Sequence, residues 1–201
     1  MNKKATLLFA LVISVTLLTS CEPAIEYKYQ DMPQPVNCSG ADKALMHEAL
    51  YSFQQDIAKG HNFRNYDPAS PIYIINGYRK FIYFGFSGES DYKKLISPHT
   101  KKVFEELLKE NIWTDKEGYS HLDYNSSYVS CLLDNIKSPD IRATINSLKE
   151  VNSLGPKLMA EPLRRAINEV AQDPHLAMYI ALDGYYQYLI DVDLSEPIEN
   201  E

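Results

Sequence analysis

The sequence of 201 residues predicts an all-α domain, an orthogonal bundle of about six to seven helices. Three observations point there. Apolar residues recur at steps of three and four through most of the chain, the period of one helix face. Four segments open with a capping residue followed by proline: Ser70-Pro71, Ser97-Pro98, Ser138-Pro139 and Asp173-Pro174. Proline is harmless at the first helical position, because its missing N–H would have no intrahelical partner there. Finally, only one stretch carries a hairpin signal, and a lone hairpin is marginal.

Taken in order, Ser39-Gly40-Ala41-Asp42 matches a capping box with Asp in place of Glu. Met46, Leu50, Phe53 and Ile57 then form one stripe, and Gly60 ends the first helix. The ambiguous stretch is Ile72 to Tyr78, where Asn76-Gly77 sits between β-favouring residues, as in a hairpin turn. The Ser70-Pro71 opening and the nearly continuous apolar run to Phe86 instead suit a helix buried on several sides. A buried helix is expected, with an α+β fold carrying one hairpin near Asn76-Gly77 as the alternative. Val103, Leu107 and Leu108 follow Pro98. Val129, Leu132, Leu133 and Ile136 make a stripe within 124–136, and Ile141, Ile145 and Leu148 make the next. Leu163, Ile167 and Val170 make another, with Pro162 marking its start. Leu176, Ile180, Leu189 and Val192 follow Pro174. The prolines are unevenly spaced, so the chain has no fixed repeat.

The first residues follow a different logic. Met1-Asn2-Lys3-Lys4 is positive, Ala5 to Leu18 is uncharged and largely apolar, and Leu18-Thr19-Ser20-Cys21 closes with small residues before a cysteine. These are the parts of a secretory signal peptide. The apolar run is about 14 residues, against the roughly 20 that a membrane-spanning helix needs. The closing tetrapeptide resembles the lipobox of bacterial lipoproteins. That resemblance covers residues 1–21 and implies cleavage before Cys21, with diacylglyceryl on its sulfur, so that the membrane is held through lipid on Cys21. With Glu22 following the cysteine, it further implies delivery to the outer membrane, on its periplasmic or its outer face. The chain then divides into a signal peptide (1–20), a lipidated N-terminus and Pro-rich tether (21–37), one helical domain (38–194) and an acidic tail (195–201). Fully extended, the tether would reach roughly 50 Å.

Loss of Lys3 and Lys4 with the leader leaves 18 basic against 27 acidic side chains, a net charge of −9. Such a chain lacks the clustered Lys and Arg that nucleic-acid binding needs. With Cys21 taken by lipid, Cys38 and Cys131 remain. An oxidising compartment favours a bridge between them, the rival being two unpaired thiols with Cys131 a small buried hydrophobe.

The sequence carries none of the nucleophile-elbow, zincin, P-loop, dinucleotide-binding or Cys-x-x-Cys patterns. Their absence weighs against the usual hydrolases and nucleotide enzymes, though not against an unfamiliar enzyme; no cofactor is expected. Of five histidines, His47, His99 and His175 read as solvated surface residues, and His61 carries no motif. His121-x-Asp123 would hold a metal only with a third ligand from afar, so no metal site is assigned. Tyrosine is abundant, at 15 residues. Tyr73, Tyr78, Tyr83, Tyr185, Tyr186 and Tyr188 read first as core rings with wet hydroxyls, and second as a surface for protein, peptide or glycan. The leading functional expectation is a membrane-anchored envelope protein with a helical binding domain. The alternatives are a metal or cofactor carrier or uncharacterised enzyme using His121 and Asp123, and an accessory subunit of an envelope complex.

Overall fold

The structure is a computed structural model that describes residues 25–116 and 119–195. Cys21, the leader and residues 196–201 of the acidic tail lie outside the described residues. In chain order the elements are α1 (Lys43–Gly60), α2 (Pro71–Phe84), α3 (Tyr92–Leu95), α4 (Pro98–Leu107), β1 (Trp113–Lys116), β2 (Tyr119–Leu122), α5 (Ser127–Asp134), α6 (Pro139–Glu150), α7 (Pro156–Arg165), α8 (Ile167–Val170) and α9 (Pro174–Ala181). A π-helical turn, Leu182–Tyr186, joins α9 to α10 (Gln187–Leu189). The fold is therefore mostly helical, as predicted, with one two-stranded antiparallel hairpin among the described residues. Among those residues no helix is long and apolar enough to cross a membrane.

All four Ser/Asp-Pro pairs start helices, at α2, α4, α6 and α9. Two of the caps also work through their side chains: Ser97 accepts from the Thr100 amide, and Asp173 from those of His175 and Leu176. The start of α1 falls later than expected. Asp42 is itself the cap, accepting from Leu45 N at 2.8 Å, while Gly40 turns the approaching chain at φ +101°. Pro162 is likewise misplaced by the sequence pattern. It lies inside α7, which begins at Pro156 behind Gly155.

The ambiguous stretch is a helix, α2, and no hairpin forms at Asn76-Gly77. Both residues serve helix packing. A Cβ on Gly77 would stand 2.8 Å from Cα of Ala58, so its absence lets α2 press onto the backbone of α1. Asn76 donates to the His61 carbonyl at 3.0 Å, closing the α1 C-terminus. The hairpin that does exist pairs Trp113 with Leu122 and Thr114 with His121. The sequence offered no clean period-two signal there, and Trp113 is fixed by donating to the Leu107 carbonyl at 2.7 Å.

A second correction concerns the tether. Residues 25–37 are not a free spacer but a strap bound along α1. Glu48, fully buried, accepts from the amides of Lys28 (2.8 Å) and Tyr29 (3.1 Å) and from His99 Nε2 (2.6 Å). His47 Nε2 donates to the Tyr29 carbonyl, Tyr51 donates to that of Pro33, and Ile25, Tyr27 and Val36 pack against the core. The strap ends at Cys38, whose bond to Cys131 (Cα–Cα 5.8 Å) ties it to α5. A run rich in Pro and polar residues can thus be ordered by a buried acceptor supplied from elsewhere, which composition does not reveal.

The centre of the core is aromatic. Phe53 of α1, Phe81 of α2 and Tyr185 of the π-turn meet with centroids 5.1–5.8 Å apart. Of the tyrosines singled out by the sequence, Tyr73, Tyr78, Tyr185 and Tyr186 are buried and Tyr188 is half-buried; Tyr83, 55 % exposed, is the exception.

Two outcomes follow. Gly77→Ala improves helix propensity by up to about 1 kcal/mol, yet its methyl collides with backbone, so urea titration should show a net loss of about 1–3 kcal/mol. A stabilised variant would refute the close approach of α1 and α2. The Cys38–Cys131 bridge closes a loop of 93 residues, for which chain entropy gives about 4–5 kcal/mol. Adding reductant should therefore lower the urea midpoint substantially, and an unchanged midpoint would show that the bridge carries no stability.

Candidate functional site

The apolar interior holds a carboxylate that the packing alone would not require. Asp183 lies in the π-helical turn, fully buried, and accepts hydrogen bonds from Tyr124 and Tyr179, both at 2.7 Å. Single π-turns within α-helices are frequent at functional sites. Next to it, Gly184 leaves room for the Phe86 ring, which stands 2.2 Å from where a Cβ would be. Burial pushes the Asp183 carboxyl up to about 6, against the two hydroxyl bonds, which pull it down. Burial first, and the Asp183 charge second, raise the Tyr124 and Tyr179 hydroxyls.

Tyr124 also lines an open cleft of about 460 Å³. The hairpin contributes Thr114, His121 and Leu122; the α6–α7 loop contributes Asn152 and Leu154, and the start of α7 contributes Lys157. Gln187, Tyr188 and Asp191 of the C-terminal segment complete it. Gln187 locks hairpin to helix by accepting from Leu122 N at 2.7 Å. Tyr188 stacks on Tyr92, centroids 5.3 Å apart and planes 18° apart, which fixes its ring. Lys149 and Ser130 both donate to the Tyr124 carbonyl. The cleft thus offers rigid aromatic rings beside an amide, an imidazole, an ammonium and a carboxylate, the mixture that orients a small polar ligand.

Two further clefts are less well built for a ligand. One, of about 350 Å³ between α6 and α7, is edged by Asp140, Glu161, Arg165 and Glu169, with Arg165 paired to Glu161 at 3.1 Å. The other, about 370 Å³, opens over the strap near Tyr29, Tyr73 and His99. Two of its polar groups are engaged within the fold: Asp56 accepts from Ser97 N (3.0 Å) and Tyr185 (2.9 Å), and His99 donates to Glu48. Burial raises the Asp56 carboxyl despite these bonds.

The residues named by the sequence divide as follows. Cys38 and Cys131 come together as a pair, away from the cleft. His121 lines the cleft, but Asp123 does not: its carboxylate accepts from Asn125 N at 3.0 Å, an intra-loop turn. Among the described residues no group of three His, Cys, Asp or Glu side chains is placed to hold a metal. His47 and His99, expected on the surface, are instead parts of the strap clasp. His175 is 19 % exposed beside Asp173, and burial lowers it. His61 is buried at the end of α1, lowered to about 4 by burial and by Lys80. Sequence reasoning missed Asp183, Tyr124 and Gln187. The available signal was a lone Asp within an apolar run of helical length, since an unpaired buried carboxylate is costly.

Exposed aromatics form no broad surface among the described residues. Tyr83 and Phe84 meet edge-on at 4.9 Å with the Arg164 guanidinium 4.7 Å from the Tyr83 centroid, and Phe63 is 77 % exposed.

Asp183 makes stability depend on pH. Its folded value near 6 exceeds the roughly 3.9 of an unfolded chain. The stabilising contribution is therefore fully present below about pH 4 and is lost as pH rises through about 6. The loss is on the order of 3 kcal/mol. Asp183→Asn should gain on the wild type across that window when urea unfolding is followed from pH 4 to 7; parallel curves would show that Asp183 does not titrate there.

No protein-family model, no curated protein and no solved structure matches this chain.

Proposed function

We propose that this protein is a lipid-anchored component of a bacterial envelope whose helical domain binds a small polar ligand, a peptide or glycan fragment, in the cleft between the hairpin and the α6–α7 loop. The anchor is supported by the charged, apolar and small-residue segments ending at Cys21, and by a paired Cys38 and Cys131, which suits an oxidising compartment. The binding role is carried by one observation: Tyr124, which lines the cleft, is held through its hydroxyl by a fully buried carboxylate on a π-turn. Fixing a lining ring this firmly lowers the entropy lost when a ligand stacks on it. A catalytic reading has less support, because Asp123, the carboxylate expected to work with His121, accepts from Asn125 N within its own loop and does not line the cleft.

A second reading, an accessory subunit docking onto a larger protein, is favoured by the exposed Tyr83–Phe84 pair capped by Arg164. Aromatic and Arg side chains are the residues that most often anchor protein interfaces.

One experiment separates the two. Peptide and oligosaccharide libraries are titrated against the 15N-labelled mature protein, with Tyr188→Ala as the cleft variant and Tyr83→Ala as the patch variant. Shifts should cluster at Tyr188, Lys157 and Asn152, and the Tyr188 variant should weaken binding at least about tenfold, the loss of roughly 1.4 kcal/mol. Shifts confined to Tyr83 and Phe84 would instead support the subunit reading. Cys21→Ser, in cells fed labelled palmitate, should abolish incorporation of the label; label retained by that variant would exclude the anchor.

A further inference from the structure

The strap changes what a lipid on Cys21 would do. With residues 25–37 bound to α1, the chain between the lipidated residue and the body is four Cα steps, from Cys21 to Ile25. Even fully extended it spans no more than about 14 Å, not the roughly 50 Å of a free tether. Given the anchor proposed above, the domain cannot stand clear of the headgroups.

The place where the strap leaves the body decides which end is brought down. Ile25 packs on the core, and Tyr27 lies in the field of Asp42, Glu106 and Glu110. The Asp42 amide donates to Glu110 Oε2 at 3.1 Å, so α1 begins where α4 ends. At that end Leu108, the C-cap of α4, is 46 % exposed, and Trp113 and Tyr27 are half-buried. An apolar side chain flanked by Trp and Tyr suits the headgroup layer, where amphipathic rings concentrate. The carboxylates around it oppose contact with an anionic surface.

We propose that the end of the domain formed by the start of α1 and the end of α4 is a docking surface for the zwitterionic phospholipid layer that holds the Cys21 lipid. The short link imposes contact, Leu108 reaches the headgroups, and the acidic surround keeps the domain from sinking where anionic lipid is dense. The opposite end, past Gly60, is set off by the 18 residues of α1, or about 27 Å. It faces away from the bilayer.

The test uses the full chain made with its own leader in a bacterium that processes lipoproteins, then placed in phosphatidylethanolamine vesicles. A photo-crosslinking residue replaces Leu108 or, at the far end, Phe63. Intact mass after purification reports whether Cys21 carries lipid, and lipid adducts report contact. The expected result is lipidated protein with several-fold more phospholipid adduct from position 108 than from 63, falling when about twelve Gly/Ser residues are inserted after Pro23. Lipidated protein with equal adducts at both positions, with none at 108, or with adducts unaffected by the insertion would overturn the docking surface while leaving the anchor intact. A mass without lipid would overturn the anchor and the docking surface with it.

Discussion

The hydrogen bond from Tyr185 to Asp56 is the constraint around which the rest is arranged. Asp56 lies on the buried face of α1, Tyr185 lies in the π-turn far along the chain, and the same carboxylate accepts from the Ser97 amide that opens α4. One side chain therefore sets the positions of three elements. The Tyr185 ring meets those of Phe53 and Phe81 in tilted and edge-on contact, so the donor's position is set by shape as well as by hydrogen bonding.

The interior repeats that device. Glu48 satisfies two strap amides and an imidazole, and Asp183 satisfies two phenols. Each of these carboxylates collects at least one donor from a segment distant in sequence, because a lone one would be too costly to bury. This fold orders the strap through a buried acceptor as well as through the apolar contacts of Ile25, Tyr27 and Val36. A C-terminal stretch with a helical apolar pattern likewise accommodates an extra residue in a π-turn: the turn aims Asp183 at Tyr124, and so at the cleft.

What was legible in the sequence follows from range. The Ser/Asp-Pro openings and the stripes Met46–Ile57 and Ile141–Ile145 are local signals, and the helices they announced are present. Asn76-Gly77 left a hairpin open beside the buried helix that was expected and that forms, because a glycine needed for helix contact and one needed for a turn look alike in one dimension. The strap and the site were illegible for a common reason: their partners are remote. Nothing near Lys28 and Tyr29 announces Glu48, and nothing near Tyr124 announces Asp183. The paired Cys38 and Cys131 were the one long-range feature that residue chemistry alone suggested.

The covalent tie at the end of the strap also has a mechanical meaning. Tension applied to the chain ahead of Ile25 would peel the strap from α1 one hydrogen bond at a time, first at Lys28 and Tyr29, then at Pro33. Peeling stops at Cys38, where load passes through sulfur into α5 and bypasses the first turn of α1. The clasp thus behaves as a shock absorber with a fixed stop. Extension of the N-terminal segment up to that stop is taken up by the strap's own hydrogen bonds before the disulfide carries the load.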